Sequence, residues 1–426
     1  MGIKIGVVGS GFASSFIPLF MQHPWVDEVV VADLIPERRE ALKQRFGLAR
    51  SAPSLEALCE SDVDAIAIFT NRYLHGPHAL TALRAGKHVY SAVPMASSVD
   101  EIQAILQELE DSPLVYMNGE TSYYYPAALY CRAQFQAGKF GDFVYGEAGY
   151  YHDLSHGFYE AYQHSDGEHW RQAAGLPPMF YPTHSLGMLL SVTGAHALKV
   201  SCLGWTDHDE DGIFRTGANY WDNVFSNESA LMRMSDGGMV RINEFRRIGW
   251  TGIGPRGEEN LRLYGTKASY EGQANARVWT EKSGVEAMRD LEELLSCTIY
   301  AGPASEKDSH IANHRRLPPE LRRPYQVYSS GYSPLHPIRR LPDEYANLLN
   351  GHAGSHQFLA DDFVKAVVTA SLPPTHAWAA ARYCIPGLVA HESALQEGKM
   401  LSIPDFGDPP PRWQYADVET KWNLLR

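Results

Sequence analysis

The sequence predicts an α/β protein, with a doubly wound parallel sheet followed by an α+β unit that has an open, mostly antiparallel sheet. Two observations carry this prediction. Short β-branched runs alternate with helical patterns over the first 120 or so residues, and strands of alternating pattern dominate after Gly119. A hydrophobic fraction of 44% is typical of a folded globular chain, and a net charge of −13 argues against a nucleic-acid partner.

The first part of the chain reads as repeated strand–helix units. Ile3–Val8 is a predicted strand that Gly9 ends, and Phe12–His23 is a predicted helix. The further predicted elements are strand 29–33, helix 36–46, strand 65–70, helix 78–85, strand 88–91, helix 99–109 and strand 114–118. Parallel strands joined by crossover helices make a doubly wound domain, which we predict over residues 1–122.

The second part, residues 123–426, is predicted to be one substrate-binding α+β domain. Strands are predicted over 229–234 and 238–245, and amphipathic helices over 356–370 and 377–396. A stretch rich in Pro, Arg and His at about 300–350 has weak periodicity, so we expect a long surface excursion there.

The cysteines and the apolar runs indicate where the protein works. Five widely scattered cysteines suggest neither a disulfide framework nor a zinc cluster, which fits a reducing compartment. The N-terminus enters a strand at once, and no 18-residue apolar run occurs. We therefore expect a cytoplasmic protein with no membrane partner.

A glycine-rich turn suggests a dinucleotide site. Gly9-Ser10-Gly11 follows the first strand, where backbone N–H groups can reach a pyrophosphate at a helix N-terminus. Asp33 ends the second strand, where a carboxylate can bind the ribose hydroxyls of NAD and repel the 2′-phosphate of NADP. The alternatives are a plain turn at the glycines and a helix-capping role for Asp33. The glycines and the acid occur together, however, and Leu34 rather than an arginine follows Asp33, so the pattern favours NAD.

Residues Ala85–Pro94, with Gly9-Ser10-Gly11 and Gly265-Thr266-Lys267, resemble the Gfo/Idh/MocA oxidoreductases. That family joins a Rossmann domain to an open-sheet substrate domain. In it, the strand after Gly-Lys-His-Val ends in Glu-Lys-Pro, and the lysine serves the reacting hydroxyl. Here those places hold Ala92-Val93-Pro94, and valine cannot carry a proton.

A closer resemblance is to the NAD-dependent glycosidases of glycoside hydrolase family 109, where the lysine is likewise valine. The segments that carry it are Tyr150–Leu154, Tyr181–Gly187, Gly351–Gly354 and Pro404–Phe406. The chain departs from those glycosidases at Ala92, where they have glutamate, and at His356, where they have aspartate. Phe180 and Pro182 replace the Asp and Gly of the wider superfamily's histidine motif.

Several residues can carry protons. Tyr181 and His184 are three apart, so they share one side of a helical turn if the helix over 185–190 extends to them. A packed core pair is the alternative. Glu120 follows the last strand of the first domain, at the edge where such sheets bind ligands. His152 and Asp153 are adjacent, so only one of them can face the pocket from a strand.

The residues and the resemblance together give a predicted site. The predicted catalytic residues are Tyr181, His184, His152 and Glu120. The predicted cofactor contacts are Gly9, Gly11, Phe12, Asp33, Thr70, Asn71, His75, Val93 and Pro94. The predicted substrate contacts are Tyr124, Asp153, Arg171 and His352, and the Arg246-Arg247 pair could also hold an anionic group. The histidines near His152 match no metal-ligand spacing, so no metal is expected.

The resemblance implies an NAD-dependent glycoside hydrolase. It would act by transient oxidation at C3, elimination across C1–C2, water addition and re-reduction, with the cofactor recycled in each turnover. A sugar or cyclitol dehydrogenase is the alternative, and a catalytically silent sugar or cofactor sensor is a second one. The expected ligand is a saccharide or glycoside, and the expected assembly is a homo-oligomer.

Overall fold

The computed structural model describes residues 2–249, 259–273, 276–284, 287–297, 331–348 and 350–417. Most of the excursion predicted at about 300–350 lies outside these residues. Its described end contains two short 3-10 turns, Ile338–Arg340 and Asp343–Asn347. Within the described ranges, no helix combines the length and the apolar character that a membrane span requires.

A six-stranded parallel sheet forms the N-terminal half, in the order β3-β2-β1-β4-β5-β6. Its strands are β1 (Ile3–Val8), β2 (Val26–Ala32), β3 (Ser51–Ala52), β4 (Ala65–Ile68), β5 (His88–Ser91) and β6 (Tyr116–Asn118). The order reverses between β1 and β4, which is the switch point where such sheets bind ligands. The predicted doubly wound sheet is thereby confirmed.

Five helices connect these strands: α1 (Ile17–Gln22), α2 (Pro36–Phe46), α3 (Leu55–Cys59), α4 (His75–Arg84) and α5 (Val99–Glu110). The prediction of one helix over 12–23 was wrong, because Phe12–Ser15 is a 3-10 turn and α1 begins only at Ile17. Pro18 explains the break, since its ring clashes with the preceding turn of a continuous helix. The predicted bounds of α2 were correct, with Pro36 at its start and Gly47 in the left-handed conformation after its end.

The second sheet has nine strands, in the order β14-β13-β12-β11-β7-β10-β9-β8-β15. They are β7 (Phe143–Tyr151), β8 (Ala197–Thr206), β9 (Phe225–Met234), β10 (Met239–Phe245), β11 (Glu259–Gly265), β12 (Ala268–Gly272), β13 (Arg277–Glu281), β14 (Arg289–Asp290) and β15 (Leu401–Ser402). Among the described strands of this sheet, only β7 and β10 pair in parallel; the other pairs are antiparallel, as predicted.

The helices after β6 are α6 (Pro126–Gln136), α7 (Phe158–Asp166), α8 (Trp170–Ala174), α9 (Thr183–Thr193), α10 (Glu292–Leu295), α11 (Ser355–Thr369) and α12 (Ala377–Leu395). The last two pack on the six-stranded sheet rather than on the nine-stranded one alone. Phe363 of α11 contacts Tyr90 of β5, with ring centroids 5.6 Å apart. Ile385 of α12 lies in the same buried cluster as Ile105 of α5. Full burial of such a side chain is worth about 1.5–3 kcal/mol.

A buried ionic group, the Arg340 cluster, links α11 to Tyr124, which follows β6. Arg340 donates to Asp361 at 3.0 Å and to Asp362 at 2.7 Å. It also donates to the Tyr124 hydroxyl at 2.9 Å, and that hydroxyl contacts Asp362. Lys365 lies 2.8 Å from Asp361. The cluster satisfies each buried charge locally.

Candidate active site

A pocket lies where the carboxyl end of the six-stranded sheet meets the second half of the chain. Arg72 enters it from the loop after β4, Tyr181 from the turn before α9, and Arg246 from the end of β10. The rest of its lining is formed by Leu154, Phe158, Tyr162, Ala174, Leu176 and Pro177. The pocket is therefore polar at a few points and apolar elsewhere, as small-molecule sites usually are.

Three residues form a continuous hydrogen-bonded relay at the pocket wall. His184 Nδ1 lies 2.8 Å from Glu120 Oε1, and His184 Nε2 lies 3.2 Å from the Tyr181 hydroxyl. Tyr181 is outside α9, because Pro182 precedes the first helical residue. The assumption that Tyr181 and His184 share one helical turn was therefore wrong, although the two side chains do meet.

The relay is charged at its inner end. Burial alone would lower the pKa of His184, but Glu120 and its hydrogen bond raise that pKa well above the usual value. Burial likewise opposes ionisation of Glu120, yet His184 and the Ser122 N–H hold the Glu120 pKa below its usual range. At neutral pH the pair is an imidazolium next to a carboxylate, so Nε2–H donates to the Tyr181 oxygen.

His152 and Asp153 differ in their surroundings. The His152 ring packs on Phe158, with centroids 4.2 Å apart, and lies 5.3 Å from the ring of Tyr150. Burial and then Arg246 lower the pKa of His152 to about 3, so this ring is neutral. The Asp153 carboxylate accepts the backbone N–H groups of Ser155 and Ile248. Asp153 thus fixes two loops.

Val93 belongs to the apolar wall of the same site. It is buried in one cluster with Tyr150, Leu154, Phe158 and Tyr181. The place of the superfamily's lysine is therefore filled by a side chain that packs beside the relay.

Arg72 and Arg246 face the same two aromatic rings. The Arg72 Cζ lies 5.1 Å from the Tyr181 ring and 5.0 Å from the Phe158 ring. The Arg246 Cζ lies 6.0 Å and 5.9 Å from those rings. Guanidinium groups at these distances attract aromatic faces electrostatically.

Glu244 lies behind Arg246 on β10. Its Oε2 is 3.3 Å from Arg246 Nη2, and its Oε1 accepts the Ser185 hydroxyl at 2.5 Å. Burial outweighs these contacts and raises the pKa of Glu244 to about 8. Most of this carboxyl is therefore protonated at neutral pH.

The turn after β1 fits a dinucleotide. Gly9 has a φ of +101°, and a Cβ there would meet the Phe69 carbonyl oxygen at 2.5 Å. At Gly11 the nearest atom to an added Cβ is 3.7 Å away, on His164, so the turn is uncovered by side chains of its own. This cradle suits the close backbone approach that a pyrophosphate needs.

Asp33 lies half-buried at the end of β2, next to that turn, and its Oδ1 accepts the Ile35 N–H at 2.9 Å. The sequence placed no arginine next to Asp33, but the fold brings Arg39 Nη1 to 3.1 Å from the Asp33 carbonyl oxygen. The carboxylate still occupies the position at which a ribose is bound in such folds.

The other predicted cofactor residues lie around the loop after β4. His75 links the loops, with its nitrogens 2.8 Å from the Pro94 carbonyl oxygen and 2.9 Å from that of Thr70. Asn71 donates to Asp166 of α7 at 2.7 Å. Phe12 packs edge-on against His352, with ring centroids 5.5 Å apart.

His352 pairs with His356, the residue that replaces the glycosidases' aspartate, at 2.8 Å between Nδ1 and Nε2. Burial lowers the pKa of both histidines, so both rings are neutral. His184 and Glu120 also influence the pKa of His352, which places this ring beside the relay.

None of the four predicted substrate contacts is among the residues that line the pocket. The Tyr124 hydroxyl belongs to the Arg340 cluster, so it serves packing. Arg171 is exposed and lies over Trp170, with its Cζ 4.5 Å from the ring centroid. Sequence reasoning missed Arg72, Tyr150 and Glu244. Arg72 follows the predicted Asn71 at a strand end, and that position was the available signal. Among the described residues, no group of His, Cys, Asp or Glu forms a metal site.

Comparisons with known proteins agree with this architecture. Residues 3–120 match the GFO_IDH_MocA family, described as an oxidoreductase family with an NAD-binding Rossmann fold. A glycosyl hydrolase family 109 protein of Solibacter usitatus (strain Ellin6076) is 22% identical over 95% of this chain and 88% of its own. One from Streptomyces filamentosus is 27% identical over 48% of this chain, a match that spans under half of that relative, 44%.

Levoglucosan dehydrogenase, solved in complex with NADH, has the same fold. It superposes with a TM-score of 0.68 at 17% identity, covering 95% of this chain and 100% of the dehydrogenase. The family match and the glycine cradle agree on the cofactor, which is NAD. Residues 3–120 thus match the NAD-binding Rossmann fold of the Gfo/Idh/MocA oxidoreductase family, and the chain as a whole is similar to glycosyl hydrolase family 109 proteins.

Proposed function

We propose that this chain is an NAD-dependent glycoside hydrolase that cleaves its substrate by elimination across C1–C2 of a transient 3-keto sugar. The observation that carries the proposal is the Tyr181–His184–Glu120 relay beside Val93. Proton transfer there needs no lysine. The family 109 relatives support the same reading. Bound NAD would supply the redox chemistry by accepting a hydride from C3 and returning it.

Tyr181 is the proposed base for the C2 proton. It lines the pocket, whereas both nitrogens of His184 are occupied by Glu120 and by Tyr181 itself. Only the phenolate form of Tyr181 can take a proton from an acidified carbon, and the N–H that His184 Nε2 donates would stabilise the negative charge of that form. Glu120 holds the ring in place and keeps it charged.

His152 is the proposed partner of the C3 hydroxyl. Its Nδ1 lies 3.3 Å from the Asp153 carbonyl oxygen, an arrangement that leaves Nε2 as the acceptor of a neutral ring. The buried rings of Tyr150 and Phe158 pack beside His152, and the lower polarity on that side would strengthen such a hydrogen bond.

A sugar dehydrogenase is the second candidate. The Tyr181 oxygen could take a hydroxyl proton instead of a carbon-bound one, and the relay would carry the charge equally well. The shared fold of levoglucosan dehydrogenase favours this reading. The two functions differ in what happens at C2 and in whether NADH accumulates.

The test is a screen of 4-nitrophenyl glycosides in heavy water, with and without added NAD. We expect cleavage that depends on NAD, deuterium at C2 of the released sugar, protium at C3 and no net NADH. NMR of the sugar and nicotinamide absorbance read these outcomes together. Full protium at C2 of a cleaved product would exclude the elimination, and NADH formed in step with product would establish the dehydrogenase.

A further inference from the structure

The proposed mechanism assigns no role to two charged side chains that line the pocket, Arg72 and Arg246. We propose that the substrate carries an anionic group, a carboxylate or a phosphate, which binds between Arg72 and Arg246. This inference rests on the proposed function, because it names the class of saccharide that the same site takes: an acidic sugar rather than a neutral one.

The two guanidinium groups approach the same two aromatic rings from different sheets. Arg72 follows β4 of the parallel sheet, and Arg246 follows β10 of the second sheet. Both lie over the rings of Phe158 and Tyr181, within 5.0–6.0 Å of the centroids. An anion beside the phenol of Tyr181 would therefore face two cations at once, a geometry that suits the planar fork of arginine.

Arg72 has no carboxylate partner among the described residues, since none lies within ion-pair distance of its guanidinium. The groups that influence its pKa most, after burial, are the tyrosines Tyr162, Tyr181 and Tyr150. Placing a guanidinium against apolar and aromatic side chains without a counter-ion is costly. A counter-ion that arrives with the substrate accounts for the arrangement.

Arg246 is only weakly compensated. Among the described residues, its one carboxyl neighbour by ion-pair distance is Glu244, at 3.3 Å, and its Nη1 donates to the carbonyl oxygens of Phe245 and Tyr150. Burial raises the pKa of Glu244 to about 8, so little of its charge is available at neutral pH. The His184 charge is already matched by Glu120. The pocket thus has an excess of positive charge that a neutral sugar would leave unsatisfied.

The phosphates of NAD have a different site in the fold, so they do not account for the charge of Arg72. The cradle that suits them is the turn at Gly9 and Gly11, whose nearest side chain is His164. The ring contacts of Arg72 are all in the pocket instead, with Phe158, Tyr162 and Tyr181. Loss of Arg72 should therefore weaken substrate binding and leave NAD binding intact.

The experiment measures binding to the NAD-loaded protein by isothermal titration calorimetry, with no turnover required. The probes are D-glucuronate against D-glucose, D-galacturonate against D-galactose, and glucose 6-phosphate against glucose. We expect at least one anionic probe to bind about tenfold or more tightly than its neutral partner, and added salt to weaken it. A uronate as the best probe identifies a carboxylate, and the 6-phosphate identifies a phosphate.

Variants assign the effect. Arg72→Gln and Arg246→Gln should each weaken the best anionic probe by about ten- to a hundredfold and leave the neutral sugars unchanged. Arg72→Lys should keep part of the preference, because the charge remains but the fork is lost. Arg215→Gln is the matched control, since Arg215 is exposed and follows Phe214, which lies in the same buried cluster as Phe158 and Tyr181.

Several results would overturn the inference: equal affinity for neutral and anionic probes, no binding of any anionic probe, an unchanged preference in both Gln variants, or loss of NAD binding in Arg72→Gln. If the Gln variants fail to fold by circular dichroism, Arg72→Lys and Arg246→Lys replace them: a partly reduced anionic preference supports the inference, and an unchanged preference in both overturns it. Since the readout is binding, a failed heavy-water experiment counts against the proposed function and leaves this test intact.

Discussion

Two regions of the molecule hold an arginine among packed side chains, Arg340 fully buried and Arg72 half-buried, and they treat its charge in opposite ways. In the Arg340 cluster, the guanidinium donates to Asp361, Asp362 and the Tyr124 hydroxyl. In the pocket, Arg72 has aromatic rings and no carboxylate among the described residues. A charge that the fold itself neutralises is part of the scaffold, whereas a charge left open is available to a ligand.

The largest expected effect is a loss of stability when the charge of Arg340 is removed. Arg340→Met should lower the free energy of unfolding by about 3–5 kcal/mol, because it removes the cation that Asp362 contacts and leaves Asp361 with Lys365. Urea denaturation followed by fluorescence measures the change. Arg84→Met is the control, since Arg84 forms an exposed ion pair with Glu108 and its loss should cost at most about 0.5 kcal/mol. Similar losses in both variants would contradict the distinction.

In the pocket we expect activity to fall and stability to persist. Tyr181→Phe removes only the hydroxyl that contacts His184 Nε2, so turnover should drop by about a hundredfold or more. Initial rates on the substrate found in the glycoside screen measure this effect. Tyr130→Phe, at a buried tyrosine of the nine-stranded half's core, should keep the parental rate. A Tyr181→Phe enzyme with the parental rate would remove Tyr181 from the mechanism.

The contribution of Glu244 to stability should depend on pH. Its pKa is raised from 4.5 to about 8 in the folded protein, so its contribution to stability is complete below pH 4.5 and is lost as pH rises toward 8. Glu244→Gln removes this titration. Relative to the variant, the parent should lose up to about 1 kcal/mol per pH unit across that window and nothing further above it. Parallel stability curves would show that Glu244 is ionised in the folded protein.

The smallest expected effect is the stability change of Arg72→Met. Because no carboxylate depends on Arg72, the free energy of unfolding should change by no more than about 0.5 kcal/mol, and the change can be favourable. The same substitution at Arg340 gives the matched comparison under identical urea conditions. A loss of several kcal/mol at Arg72 would mean that its charge has a structural partner.

Local signals predicted the elements, while the contacts between elements escaped them. Pro36 and Gly47 mark both ends of α2, and the predicted bounds of that helix were correct. Pro18 is just as local, and overlooking it produced the wrong first helix. The pairing of His184 with Glu120 joins residues far apart in the chain, so no spacing rule indicates it.

The substrate contacts were harder to predict than the helices and strands, for the same reason. Whether a buried polar group serves a ligand depends on which partners the fold brings to it. Tyr124 was chosen as a substrate contact, but α11 supplies Asp362 for its hydroxyl. Arg72 was not predicted, although it is distinguished from Arg340 by having no carboxylate within ion-pair distance among the described residues. The partners of Tyr124 and of Arg72 are both determined by which distant elements pack together in the folded protein.

The packing of the last two helices on the first sheet has a consequence for synthesis. Phe363 and Ile385 cover buried residues of the parallel sheet, and the Asn118 N–H donates to the Thr375 carbonyl oxygen at 2.8 Å. At about 5–20 residues per second, the nascent sheet waits on the order of tens of seconds for these partners to leave the ribosome. During that interval its apolar faces are open to chaperones, and a chain that stops before α11 cannot complete the domain that was made first.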